Sequence, residues 1–88
     1  MDPDELARII ATLETAIAEA RVMAKAEMID EPFRELMRHA HGMHDLFVEA
    51  LLQNEPLASP YLRGLADSTG NAIDELDARV ARADGAIH

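Results

Sequence analysis

The sequence predicts an all-α fold, an antiparallel three-helix bundle that forms a dimer, and three observations lead to it. Apolar residues such as Leu6, Ile10 and Leu13 recur at helical spacing in three segments of the chain. A strand could not bury such a set on one side, because its side chains alternate faces with a period of two. Each segment also opens with a proline one or two residues after a capping residue, and 49% of all residues are apolar, which supports a buried seam.

The first helix is expected over residues 3–29. Asp2 before Pro3 is a helix-start signature, because the carboxylate can accept from free amides and proline's fixed φ suits the first helical position. The apolar seam then continues to Ala24. Val22 and Ile29 lie away from this seam, either as ordinary surface residues or as a second contact surface.

The second helix is expected over residues 31–53, opened by Asp30 and Pro32. It has the widest apolar surface of the three, because Leu46 and Leu52 lie well outside its principal stripe. Gly42 in its middle costs about 1 kcal/mol relative to alanine, so a kink or a close helix contact is expected there.

The third helix is expected over residues 60–84, capped by Ser59 with Pro60 at its first position. Turn-forming residues around Gly70 are its weak point, and a break there would give four helices. The apolar register runs through Gly70 without a phase shift, which favours one continuous helix. Residues 85–88 are expected to be a frayed tail on a single helical domain that spans residues 1–88.

Composition excludes several classes of function. The formal net charge is −9, from 17 acidic and 8 basic residues, and such a surface repels phosphate backbones, so direct nucleic-acid binding is not expected. The chain has no cysteine, hence no thiolate metal site, and this agrees with a cytoplasmic location. It also lacks a signal-peptide pattern and the run of about 18 apolar residues that a membrane span needs.

A histidine cluster in the second helix suggests a metal site. Imidazoles and carboxylates are ligands for zinc, nickel or iron, and His41 and His44 are about 60° apart around a helix axis, so they could share an ion. Asp45 could join them, whereas His39 points away. Such a site would need further ligands from another helix or a second subunit, and surface histidines without a metal are the simpler interpretation.

An enzyme is not expected. No nucleophile stands with a base, and the arginine and lysine residues are scattered among twice as many acids, so a clamp for a small anion is not evident. Glu75 and Arg79 have the i,i+4 spacing of a surface ion pair.

The function predicted from these observations is a small acidic protein-protein interaction module, an adaptor, regulator or chaperone. A chain of this size cannot bury all its apolar surface, so it would present an apolar helix face to a partner helix or to its own copy. Methionine and aromatic side chains suit such adaptable contacts. The candidate contact residues are Met37, Met43, Phe47, Val48 and Leu51.

An acidic inhibitor that mimics nucleic acid is the alternative, since the last helix carries a row of carboxylates. A net charge of −9 also simply keeps a small protein in solution. The carboxylates in question are Asp67, Asp74, Glu75, Asp77 and Asp84.

Overall fold

The computed structural model describes residues 2–53 and 59–85, and the regular secondary structure in this part of the chain is all α-helix. Helix α1 spans Pro3–Lys25, α2 spans Glu31–Gln53 and α3 spans Pro60–Gly85. The three helices pack against each other as a rod of 48 × 18 × 16 Å. The predicted all-α bundle is confirmed. Residues 54–58, and residues 86–88 of the predicted tail, lie outside the described ranges, whereas Gly85 is the last residue of α3.

Each helix begins where the sequence predicts, because a side-chain oxygen before its first turn accepts from a free backbone amide. Three such bonds are present, to amides two or three residues along the chain. They join Asp2 Oδ1 to the Asp4 amide at 3.1 Å, Asp30 Oδ1 to the Phe33 amide at 3.4 Å, and Ser59 Oγ to the Leu62 amide at 3.2 Å.

Helix α1 ends at Lys25, four residues before the predicted boundary at 29. The Met28 amide donates to the Met23 carbonyl and the Glu27 amide to the Ala24 carbonyl, which is the hydrogen-bond pattern of a Schellman motif. Glu27 adopts the left-handed φ of 59° that this motif requires. Because glycine or asparagine usually fills that position, a glutamate gave no sign of the stop.

The core runs the length of the rod between the three helices. Leu13, Phe33 and Phe47 are its largest fully enclosed side chains. Small residues fill the narrower levels, so the helices approach closely. The buried alanines are Ala16, Ala20, Ala24, Ala40, Ala50, Ala66 and Ala72.

Helix α3 is continuous through Gly70, so the four-helix alternative is not observed. The turn-forming residue Thr69 is accommodated because its hydroxyl donates to the Leu65 carbonyl at 2.8 Å. Gly70 itself allows a close approach: a Cβ built on it would lie 3.2 Å from Nε2 of His44, which reaches across from α2. The close contact expected at Gly42 is wrong, since that glycine has open space around its Cβ position. Helix α2 is uninterrupted there.

Contacts between α2 and α3 run in opposite order along the two helices. Arg34 pairs with Asp84 near one end, whereas His44 contacts the Ala66 carbonyl farther along α2. Arg79 of α3 reaches α1 near its end, where it donates to the Ala24 carbonyl at 2.8 Å. None of the helices in the described ranges is long and apolar enough to cross a bilayer.

Candidate functional site

Large apolar side chains remain exposed on the surface of the rod. Leu52 near the end of α2 is 77% exposed, Tyr61 at the start of α3 is 76% exposed and Val22 on α1 is 69% exposed. A single exposed apolar residue is ordinary, whereas one beside a groove can anchor a partner. Leu52 is of the second kind.

The groove beside Leu52 lies between the C-terminal half of α2 and the N-terminal half of α3. Its volume is about 450 Å³. It is open to solvent along the rod, and its walls are mainly apolar with charged side chains on the α3 side. The lining residues are His44, Val48, Leu51, Leu52, Arg63, Ala66 and Asp67.

Helix geometry places the α2 wall. His44, Val48 and Leu52 follow one another at intervals of four residues, so they form a row along one side of α2. On the α3 side the small residue Ala66 leaves the space that the groove occupies, because no larger side chain fills it. His44 closes one end, since its Nε2 lies 2.9 Å from the Ala66 carbonyl and its ring packs over Gly70.

Carboxylates flank the groove. Asp45 lies seven residues before Leu52, two turns away on the same face of α2, and Glu49 lies between them. Both are exposed, as is Asp67 on the α3 side. The border of the groove is therefore acidic, with Arg63 as the cation on its wall.

The structure divides the predicted contact residues into two sets. Met37, Phe47 and Leu51 are buried at 4%, 0% and 8% exposure, so they pack inside the single chain rather than on its surface. Met43 and Val48 are half-buried at its edge. A stripe of apolar residues at helical spacing is the same for a core and for a contact face, which is why sequence reasoning did not separate them. The signal that finds the groove is Leu52, which lies outside the stripe.

The predicted metal ligands do not converge within the chain. Nε2 of His41 lies 2.8 Å from Oδ2 of Asp77, whereas Nε2 of His44 is bound to the Ala66 carbonyl. Asp45 is exposed. Among residues 2–53 and 59–85, no three histidine or acidic side chains are grouped so that they could hold an ion. A site at these residues would need ligands from a second subunit.

The acidic row of α3 is partly neutralised. Asp77 is engaged by His41, and Asp84 by the Arg34 guanidinium. The hydrogen bond and the charge of Asp84 raise the pKa of Arg34. Two of the five carboxylates are therefore engaged by side chains of α2, which leaves a less continuous row of free carboxylates than a nucleic-acid mimic presents.

Every buried side-chain nitrogen or oxygen in the described ranges has a hydrogen-bond partner. Comparison of the chain with known protein families, curated proteins and solved structures gives no match. Its function has to be inferred from its own surface.

Proposed function

We propose that the protein is a helical interaction module whose α2–α3 groove binds an amphipathic, basic helix of a partner protein. The observation that carries the proposal is Leu52, 77% exposed at the edge of an apolar groove. An apolar side chain this exposed next to unfilled apolar space gains free energy when a partner covers it, at about 25 cal/mol per Å².

The shape of the groove favours a helix as the occupant. It lies between two long helices, and side chains of a further helix can fill such a groove as ridges fill grooves in any bundle. Anchors at i, i+3 or i+4 would contact the row formed by Val48 and Leu52. Ala66 opposite this row allows the backbone of the incoming helix to approach closely.

The charge around the groove favours basic flanks on that helix. Asp45, Glu49 and Asp67 border the apolar strip, and the whole chain carries −9. Complementary charge speeds encounter and rejects acidic competitors, while the apolar contacts supply most of the affinity.

Binding of a synthetic amphipathic Leu/Lys helix tests the proposal, measured by fluorescence anisotropy beside a scrambled peptide of identical composition. We expect the amphipathic peptide to bind more tightly than the scrambled one. Raising the salt from about 50 to about 500 mM should weaken the scrambled peptide more, since salt screens charge and leaves apolar contact.

Leu52→Gln and Val22→Gln form the matched pair for this experiment, because both residues are exposed apolar side chains and only Leu52 lines the groove. We expect Leu52→Gln to weaken binding about tenfold, because one aliphatic side chain fewer is buried on binding. Val22→Gln should have little effect. Equal binding of both peptides, or equal losses in both variants, would show that charge alone attracts the peptide.

A second copy of the chain is the competing occupant. Two molecules of charge −9 repel each other, which is why a basic partner is favoured. Sedimentation equilibrium decides between them: a dimer that Leu52→Gln converts to monomer would show that the groove is a homodimer interface.

A further inference from the structure

A second groove lies between the C-terminal halves of α1 and α3, and its chemistry is the opposite of the first. Four of the chain's eight basic residues line it, against one carboxylate, that of Glu75. Its volume is about 470 Å³. The sequence predicted scattered cations because these residues lie on two helices far apart in the chain. They are Arg21, Lys25, Arg79 and Arg82.

Three of these cations have no partner within the described part of the chain. Arg21, Lys25 and Arg82 make no hydrogen bond or ion pair with another described residue. The cations of α2 differ, since Arg34 pairs with Asp84 and Arg38 with Glu31 and Glu35. In a chain of net charge −9, neighbouring cations without a protein partner create a local positive potential, which would stabilise an anion there.

The ends of the helices account for only part of this cluster. Basic side chains near a helix C-terminus complement the macrodipole, and Arg79 does so directly by donating to the Ala24 carbonyl. Arg21 lies a full turn before the end of α1, and it lines the groove. The predicted Glu75–Arg79 pair, which would have neutralised the groove, is not formed in the described structure.

The floor and the shape of the groove indicate the occupant. Ala24, Leu76 and Ala78 give it an apolar floor between the two rows of cations. The groove is open along the rod, whereas a small-molecule site encloses most of its ligand. An extended partner with apolar residues on one side and acids on both edges fits this arrangement.

We propose that the α1–α3 groove binds an acidic amphipathic helix of a partner protein. Its carboxylates, one turn apart, would contact Arg21 and Lys25 on one side and Arg82 on the other, and its apolar side chains would pack against the exposed Ala78. The site is separate from the α2–α3 groove, so a molecule with both would join a basic helix to an acidic one.

An amphipathic Leu/Glu helical peptide is the probe, with a Leu/Lys peptide as its counterpart, both measured by fluorescence anisotropy on the full chain. We expect the Leu/Glu peptide to bind although the protein is acidic, and salt to weaken it. In Arg21→Gln/Arg82→Gln we expect about fivefold weaker binding or more, as two exposed ion pairs are lost. Arg79 is left unchanged because it also stabilises the end of α1.

Arg8→Gln/Arg38→Gln is the matched control, since it removes the same charge outside the groove and leaves the affinity for Leu/Glu within about twofold. Circular dichroism confirms that both double variants are folded. The proposal is overturned by equal losses in the two double variants, or by the absence of Leu/Glu binding. It is also overturned if inorganic tripolyphosphate displaces the peptide at a concentration below the Kd of the peptide, since the site would then favour a small anion. Self-association of the wild-type chain that Arg21→Gln/Arg82→Gln abolishes would likewise overturn it. Leu52→Gln should leave Leu/Glu binding unchanged, so failure of this site is distinguishable from failure of the first.

Discussion

The two ends of the rod are built from the same three helices and differ in how their surfaces are completed. The apolar end, where α2 finishes and α3 begins, carries Leu52 and the α2–α3 groove. The charged end, where α1 and α3 finish and α2 begins, carries the Arg34–Asp84 pair and the bond from Arg79 to α1. One end leaves apolar surface uncovered, and the other joins its helices with polar bonds and leaves cations uncovered.

This difference lies in the surface and not in the core, which is built in the same way at both ends of the rod. Phe33 and Phe47 are both fully enclosed, one toward each end. The interior is therefore continuous, and specialisation of the ends lies in side chains that the core does not need. Four predictions test this distinction.

The largest effect is expected from truncating the core. Phe47→Ala and Phe33→Ala should each lower the free energy of unfolding by about 3–5 kcal/mol, because each leaves a cavity at a fully enclosed site. Urea titration followed by circular dichroism measures both. Similar losses support a continuous core. A loss below about 1 kcal/mol at one site only would show that the core is confined to one end.

The next effect is expected at the charged end. Arg79→Gln removes the donor to the Ala24 carbonyl, and we expect a loss of about 1–2 kcal/mol, the range for a hydrogen bond that involves a charged group. Arg82→Gln on the same helix is the control and should change stability by less than about 0.5 kcal/mol, as an exposed side chain without a described partner. Thermal and urea unfolding compare the two. Equal losses would mean that Arg79 acts only through its charge.

Alanine at Gly42 and at Gly70 should separate the effect of the helix contact from that of helix propensity. Gly42→Ala fills open space, and we expect a gain of about 1 kcal/mol from propensity alone. Gly70→Ala has the same gain but pushes against His44, so it should be less stable than Gly42→Ala by about 1 kcal/mol, the value of the His44 bond to Ala66. In a His44→Ala background the two glycine replacements should become equivalent. If the two glycine replacements change stability equally in the wild-type background, the His44 ring does not constrain α3.

The smallest effect is expected at the end of α1. Glu27→Gly should stabilise the protein by about 0.5–1 kcal/mol, because glycine adopts the positive φ of 59° without steric cost. Glu19→Gly, an exposed glutamate inside the same helix, should have the opposite sign and lose about 1 kcal/mol. Thermal unfolding of the two variants gives the comparison. A loss of stability in Glu27→Gly would mean that the Glu27 side chain stabilises the protein by more than its positive φ destabilises it.

Much of the fold follows from local signals in the sequence. The caps at Asp2, Asp30 and Ser59 set the helix starts, because a cap acts on amides only two or three residues away. The unbroken register of α3 predicted its continuity through Gly70. The end of α1 could not be predicted, since Glu27 takes a conformation that its residue type disfavours.

The candidate sites were less accessible to sequence reasoning because they depend on contacts between helices. Whether Phe47 faces the core or a partner depends on which side of α2 is covered by α1 and α3, and the sequence of α2 alone does not show this. Convergence of Arg21 and Arg82 likewise needs two segments about sixty residues apart to meet. The charge of each residue was evident, and its neighbours were not.

His44 gives this molecule a built-in spectroscopic reporter. Its imidazole touches the α3 backbone at Gly70 and also closes one end of the α2–α3 groove. The chain has only four histidines, so their ring protons can be followed in one-dimensional NMR spectra. A ligand seated on the apolar end would shift the His44 resonance directly, and one seated between α1 and α3 would leave it in place. A single unlabelled sample could thus tell which end of the rod is occupied.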